Sequence, residues 1–185
     1  MTTRTVDPET AIATPRLAHV VLKTAHFEEA IRFYQLVLGA RIVDKSDFAA
    51  FMTHDDEHHR LALINIGAEK EANRKIAGLD HFAFTLADLH DFFRQYLRLK
   101  AADVTPYWTI NHGMTTSMYY RDPDGNGVEF QVDNFATQAE QDAFFASGKF
   151  SENPIGVDFD IEQLLALYES GTPMEELLQQ GTAAV

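Results

Sequence analysis

The chain has 185 residues, 45% of them apolar, which suffices for one domain with a sizeable core or for two small repeated modules sharing a sheet. Its net charge of −13 argues against nucleic acid and anionic membranes as partners, because phosphate binding needs a basic face. The absence of cysteine excludes disulfides and thiolate metal sites, so a metal site would have to use the eight histidines and oxygen ligands.

The first part of the chain contains a polar arm and a strand-rich unit. Residues 1–16 are polar and include two prolines, and no basic-then-apolar leader or membrane-length apolar run is visible, so we expect a cytoplasmic protein. An apolar run at 17–22 is typical of a strand. From His26 to Gly39, apolar residues at helical spacing, acidic residues in the first turn and the terminal glycine predict a helix. Strand-like segments follow at 41–44, 48–53 and 60–66.

The same pattern starts again after a polar connector at 68–77. Residues 79–86 are strand-like, Asp88 is placed to cap a helix that runs to about residue 101, and three strand candidates follow. These candidates lie at about 104–110, 115–121 and 127–132. The order of strand, helix and three strands therefore occurs twice, in units 17–67 and 79–133. We predict an α+β domain at 17–133, with two βαβββ units forming a curled mixed sheet around a cleft.

The remaining residues, 134–185, break this pattern and predict a helical C-terminal extension. Segments 139–145 and 161–168 have helical spacing and are joined by a loop at 153–158. We expect the extension to cover a sheet edge or the cleft, or to contact a second subunit.

The strand–turn–strand segment at 117–132 carries a carboxylate of special interest. Asp122-Pro-Asp-Gly is turn chemistry, since proline presets φ and glycine accepts a positive φ. In the second strand, Val128, Phe130 and Val132 share one face, so Glu129 points away from the core. Such a carboxylate is either a solvated strand residue or a ligand.

Two histidines occupy equivalent places in the repeat. His19 and His81 are each third in the opening strand of a unit, so a pseudo-twofold axis would make them face each other. His81 also lies on the less bulky face of its strand, which we expect to open on a cavity. With Glu129 they would form a 2-His-1-carboxylate set, which leaves open positions on non-haem Fe(II). Singly they have ordinary interpretations as an edge histidine, a core histidine and a solvated glutamate, but three at related places favour a metal site.

The first unit offers no counterpart to this glutamate. The equivalent strand at 60–66 presents Leu61, Ala62 or Leu63 toward the cleft, and none of them can bind a metal. The site would then have three protein ligands, which leaves room for a bidentate substrate and a small molecule such as O₂.

The doubled unit carrying these residues, followed by His112-Gly113 and by the run from Tyr119 to Glu129, resembles the vicinal oxygen chelate superfamily. Within it, the sequence is most similar to short type I extradiol dioxygenases, over roughly residues 17–133. The resemblance implies ring opening of a catechol-type diol by O₂ at Fe(II), with Mn(II) as the alternative metal, in a homodimer or higher homo-oligomer. A glyoxalase-like isomerase, a thiol transferase or a metal-free binding protein of the same fold stay open as alternatives.

The resemblance also implies roles for three further side chains. His112 would hydrogen-bond a substrate oxygen as an acid or donor, and Tyr119 would contact the bound catecholate. His59 would be the acid–base residue, although the adjacent His58 is an alternative and both also fit a solvated polar loop. An aromatic pocket could be lined by Phe51, Tyr107 and Trp108, for which core packing is the ordinary role.

Overall fold

The structure, a computed structural model, describes residues 17–67 and 79–185. The arm expected at 1–16 and the connector expected at 68–77 lie outside the described residues. Among the described helices, none is both long and apolar enough to cross a membrane.

The first unit is a four-stranded sheet with one helix. The strand order is β1-β4-β3-β2, with β1 parallel to β4 and the other pairs antiparallel. Parallel pairing of β1 with β4 needs a crossover, and the helix α1 begins that crossover. The elements are β1 (Val20–Thr24), α1 (Phe27–Leu38), β2 (Arg41–Lys45), β3 (Ala49–Thr53) and β4 (Leu61–Asn65).

The second unit repeats this topology and gains one strand from the C-terminal extension. The order of its sheet is β5-β8-β7-β6-β9, where β9 (Val157–Asp158) comes from the extension, and the first strand of the unit is again parallel to the last. Its own elements are β5 (His81–Thr85), α2 (Leu89–Lys100), β6 (Trp108–Asn111), β7 (Thr115–Arg121) and β8 (Gly127–Asp133). The predicted α+β fold with two βαβββ units is therefore confirmed.

The extension is mostly helical, as predicted, but it also adds a strand that the sequence pattern does not predict. Strand β9 pairs antiparallel with β6, so the extension covers that edge of the second sheet. A two-residue strand is too short to show an alternation of apolar and polar residues. The elements are α3 (Gln138–Ala146), α4 (Lys149–Glu152), β9 (Val157–Asp158), α5 (Ile161–Glu169) and α6 (Met174–Leu177).

Several predicted strand boundaries are wrong, and one of them concerns a candidate ligand. Strand β1 begins at Val20, where the main-chain N–H donates to the carbonyl of Arg60, and not at residue 17. His19 therefore immediately precedes β1, whereas His81 is the first residue of β5. Apolar character alone does not mark where pairing starts, because the register is set by the neighbouring strand.

One face of each sheet packs against its helix, and both units share a single hydrophobic core. Tyr34 of α1 bridges the units, since its hydroxyl donates to the buried Asp122 carboxylate at 2.7 Å. The carboxylate of Asp124 accepts the main-chain N–H of Ala25 at 2.9 Å and the hydroxyl of Thr24. The turn before β8 therefore fastens the second unit to the end of β1.

The opposite face of each sheet, called here its open face, is exposed in the single chain along β1 and β5, although Ala62 and Glu129 on it are buried. Val21 in β1 is 52% exposed, and Ala83 and Thr85 in β5 are also exposed. Ala83 pairs with Glu129 in the same way as Val21 pairs with Ala62, so both pairs lie on the faces away from the helices. These two open faces carry the candidate site residues.

Candidate metal centre

His81 and Glu129 come together on the open face of the second sheet. They lie on the neighbouring parallel strands β5 and β8, and His81 Nε2 is 3.0 Å from Glu129 Oε2. A histidine nitrogen and a carboxylate oxygen at this separation can bind one divalent cation, because imidazole nitrogen and carboxylate oxygen are common ligands of divalent metals.

Glu129 is buried although it faces away from the hydrophobic core. Only 4% of the residue is exposed, so the interpretation of Glu129 as a solvated strand residue is wrong. A carboxylate is costly to bury without a partner, and here His81 Nε2 is the polar partner while Tyr119 lies beside Glu129 on the neighbouring strand. Burial of this kind is typical of a carboxylate with a functional or binding role.

Two neighbours fix the position of His81. Asp80 Oδ2 lies 2.8 Å from its Nδ1, which leaves Nε2 directed toward Glu129. Gly127 pairs directly with His81, and a Cβ at this glycine would come within 2.8 Å of the Asp80 carbonyl oxygen and of His81 Cβ. The close approach of β5 to β8 at this point therefore requires glycine. Asp80 was not among the predicted site residues, because an acidic residue next to a histidine is only a weak sign of such a contact.

Tyr119, on β7, forms the next layer of the site. It pairs with Glu129 across the strands, and its ring meets the ring of His81 edge-on at 5.3 Å. Its hydroxyl lies 3.0 Å from His112 Nε2. The structure thus places Tyr119 beside Glu129 and His112 beside Tyr119, and the roles of both residues stay predictions.

Burial raises the pKa of the Tyr119 hydroxyl well above its usual value, and the Glu129 carboxylate raises it further. The hydroxyl therefore stays protonated at neutral pH and can donate a hydrogen bond. Trp108 stacks on the Tyr119 ring at 4.8 Å, and its Nε1 donates to Asp158 in β9. Trp108 is therefore part of the wall of the site rather than of the core.

His19 lies in a different cluster, on the first unit. Its ring is 4.4 Å from the ring of His59, which also meets Phe51 edge-on at 5.2 Å. His58 Nδ1 lies 2.6 Å from His59 Nδ1, so both candidates for the acid–base residue belong to this cluster. Desolvation lowers the pKa of His59, and the neighbouring His19 and His58 lower it further.

One chain does not bring the three predicted ligands together. Within residues 17–67 and 79–185, no group of three or more histidine, aspartate or glutamate side chains is arranged to hold a metal ion. The pair of His81 and Glu129 fits a divalent cation, but the described part of the same chain assembles no third donor beside it. In the first unit the register makes Ala62 the counterpart of Glu129, so that unit supplies no carboxylate there.

Comparison with known proteins gives one family. The profile of the Glyoxalase/Bleomycin resistance protein/Dioxygenase superfamily matches residues 16–130. Biphenyl-2,3-diol 1,2-dioxygenase 2 of Rhodococcus globerulus is 42% identical over 166 residues, which cover 89% of this chain and 87% of that protein. Biphenyl-2,3-diol 1,2-dioxygenase 3 of the same organism is 41% identical over 172 residues, with 92% and 90% covered.

Solved structures agree with the fold. The fosfomycin resistance protein FosX from Mesorhizobium loti superposes with a TM-score of 0.53 at 24% identity, covering 70% of this chain and 98% of that chain. A glyoxalase/dioxygenase from Nostoc punctiforme gives a TM-score of 0.55 at 17% identity, covering 67% and 97%.

Proposed function

Because the chain belongs to the Glyoxalase/Bleomycin resistance protein/Dioxygenase superfamily, we propose that it is an extradiol dioxygenase. It opens the ring of a catechol-type diol beside its hydroxyl groups and inserts both atoms of O₂. The observation that carries this proposal is the long match to two relatives named as biphenyl-2,3-diol dioxygenases, together with the buried carboxylate beside His81.

The metal of this reaction is Fe(II), with Mn(II) as the alternative, and His81 and Glu129 hold it. Imidazole and carboxylate ligands suit both ions, and the chain has no cysteine that would favour a softer metal. When bound, the metal supplies the Lewis acidity and the redox chemistry that O₂ insertion needs.

The third ligand is His19 of a second copy of the chain. Two observations support this: one open face carries an imidazole and a carboxylate without a third donor, and the other carries an imidazole cluster without a carboxylate. In a twofold dimer, the first-unit face of each copy would meet the second-unit face of the other copy. Two complete sites would therefore form. The apolar Val21 and Ala83, exposed on these faces, would be covered in the same step.

The remaining side chains bind and orient the diol. Trp108 offers its ring as a stacking surface, and the protonated hydroxyl of Tyr119 donates to a diol oxygen. His59, whose pKa is lowered and whose ring is therefore neutral at neutral pH, is the base that the second copy brings with His19.

The test is anaerobic loading with Fe(II), addition of 2,3-dihydroxybiphenyl or catechol, and then admission of O₂. We expect a yellow ring-opened product and equimolar consumption of oxygen. Glu129→Gln should abolish both signals, whereas Gln131→Ala, two residues further along the same strand, should keep them. Colourless substrate and no oxygen uptake with any metal would reject the proposal, and turnover of a thiol or thiohemiacetal substrate without oxygen uptake would indicate an isomerase or transferase.

A further inference from the structure

The ring of His112 is held at both nitrogen atoms, and one of the two holders belongs to the C-terminal extension. Its Nδ1 contacts the main-chain carbonyl oxygen of Ile155, 43 residues further along the chain. Its Nε2 lies 3.0 Å from the hydroxyl oxygen of Tyr119. The histidine is therefore clamped between the extension and the wall of the candidate site.

The partner at Nδ1 fixes where the proton of the neutral ring must be. A carbonyl oxygen can only accept a hydrogen bond, so Nδ1 has to carry the hydrogen. The neutral ring then presents an unprotonated Nε2, which accepts the hydrogen bond that the Tyr119 hydroxyl donates. The orientation of a histidine ring and its tautomer are set together by such a second contact.

The carbonyl of Ile155 is itself held by a built turn. The side chain of Asn153 donates to the carbonyl of Gly156 at 2.7 Å and accepts the main-chain N–H of Gly156 at 2.9 Å. Directly after the turn, β9 pairs with β6, with Val157 opposite Asn111. Asn111, which precedes His112, is therefore paired with Val157, which follows the turn.

Glycine at position 156 is required by this close approach. Its φ is +117°, and a Cβ there would lie 2.4 Å from the carbonyl oxygen of Asn111 and 2.9 Å from the Cα of His112. The neighbouring side chain of Ile155 is 62% exposed and takes no part in the clamp. The turn thus offers only its main chain to the histidine.

We propose that this turn, Asn153 to Gly156, is a positioning device of the candidate site, which fixes His112 as the Nδ1–H tautomer with Nε2 as an acceptor. The proposal rests on the proposed function. When the diol binds, the Tyr119 hydroxyl turns from Nε2 to one diol oxygen, and the diol hydroxyl that then meets Nε2 gives up its proton: the O–H bond breaks, the Nε2–H bond forms, and the imidazolium keeps its Nδ1–H bond to the carbonyl. His112 therefore acts first as an acceptor and donates from Nε2 only after it has taken a proton.

The tautomer can be read without substrate or metal. In the full chain labelled with ¹⁵N-histidine, the His112 signals are assigned by their loss in His112→Gln. We expect a protonated Nδ1 and an unprotonated Nε2 in the neutral ring. Asn153→Ala and Gly156→Ala should shift the ring toward the Nε2–H form, and either variant suffices if the other does not fold.

Two variants serve as matched controls. Ile155→Ala removes the side chain but keeps the carbonyl, and Gly171→Ala changes a glycine of the same extension with φ +86° and no atom within 4 Å. Both should leave the His112 tautomer unchanged. If Ile155→Ala has the same effect as Asn153→Ala, the main-chain carbonyl is not the holder and the inference is wrong.

Kinetics supply the second measurement. Asn153→Ala should lower kcat roughly tenfold with little change in KM, because a misplaced proton acceptor slows the chemical step more than binding. Asn153→Asp, which still accepts from the N–H of Gly156, should recover part of the loss. An inactive wild-type chain would overturn the proposed function, whereas a wild-type His112 protonated at Nε2 would overturn this inference.

Discussion

The candidate site depends on how single residues are buried and held. Glu129 points away from the hydrophobic core and is nevertheless buried, because His81, Tyr119 and the paired strands enclose it. His81 owes its orientation to Asp80, whose side chain is 94% exposed and contributes little to packing. A carboxylate that orients a ligating histidine commonly increases metal affinity. Because the Asp80 side chain contributes little to packing, its effect on metal affinity can be measured separately from any effect on folding.

Asp80→Ala should weaken metal binding about 10- to 100-fold while leaving stability almost unchanged, since only the hold on His81 Nδ1 is lost. Titration with Mn(II), followed by the electron paramagnetic resonance signal of free Mn(II), measures the affinity. Asp133→Ala, an exposed change of equal charge at the end of β8, is the control. Equal affinities of the two variants would show that Asp80 does not orient the ligand.

At the scale of elements, the turn before β8 does more than reverse the chain. Asp122 accepts the main-chain N–H groups of Asp124 and Asn126 as well as the Tyr34 hydroxyl. Asp124 reaches the end of β1. The same short segment therefore shapes the strand that carries Glu129 and fastens the two units together.

Tyr34→Phe should lower the free energy of unfolding by about 1.5–3 kcal/mol, because a buried carboxylate loses a donor. Urea denaturation measures the loss. Tyr168→Phe, which removes an exposed hydrogen bond to His90, should change the free energy by less than about 0.5 kcal/mol. Similar losses of unfolding free energy in both variants would mean that the hydrogen bond from Tyr34 to Asp122 stabilises the fold no more than an exposed one does.

The same tyrosine predicts a dependence on alkaline pH. Burial, and then the charge of Asp122, raise the pKa of Tyr34 above its ordinary value of 10.0. The folded chain keeps this proton while the unfolded chain loses it, so the stabilisation is complete below pH 10.0 and is lost as the pH rises further. Urea midpoints measured across this range should fall less steeply in Tyr34→Phe than in the wild type. Parallel curves would contradict the expected shift.

At the scale of the whole molecule, the two open sheet faces hold complementary parts of the proposed metal site. One face has His81 with Glu129, and the other has His19 with His59. Because these sets are not joined within the described part of one chain, a twofold dimer would have to join them. If the site is built in this way, activity requires the dimer.

Mixing two inactive variants tests this arrangement. His19→Ala and Glu129→Ala should each lack metal and activity, but subunit exchange between them should restore about one quarter of the wild-type sites, because each hybrid dimer contains one intact site. Metal content after gel filtration and oxygen uptake measure the recovery. A mixture that stays empty after proven exchange would place all ligands in one chain.

The sequence by itself determined the repeated βαβββ order, the helices α1 and α2 and the fold class, because apolar periodicity, caps and turn residues act over a few neighbouring positions. Strand parity and the internal repeat also singled out His81 and Glu129, whereas Tyr119 and His112 were singled out by the resemblance to a known family. The predicted roles of His19 and His59 and the domain boundaries stay predictions.

Only the tertiary structure decided which of these residues meet. The burial of Glu129, the approach of Glu129 to His81 and the hold of Ile155 on His112 depend on strand register and on contacts between distant segments. Separation of His19 from the pair on the second sheet likewise follows from how the two units pack on one shared core. Local sequence carries no signal for such contacts, because they are fixed by long-range packing rather than by neighbours along the chain.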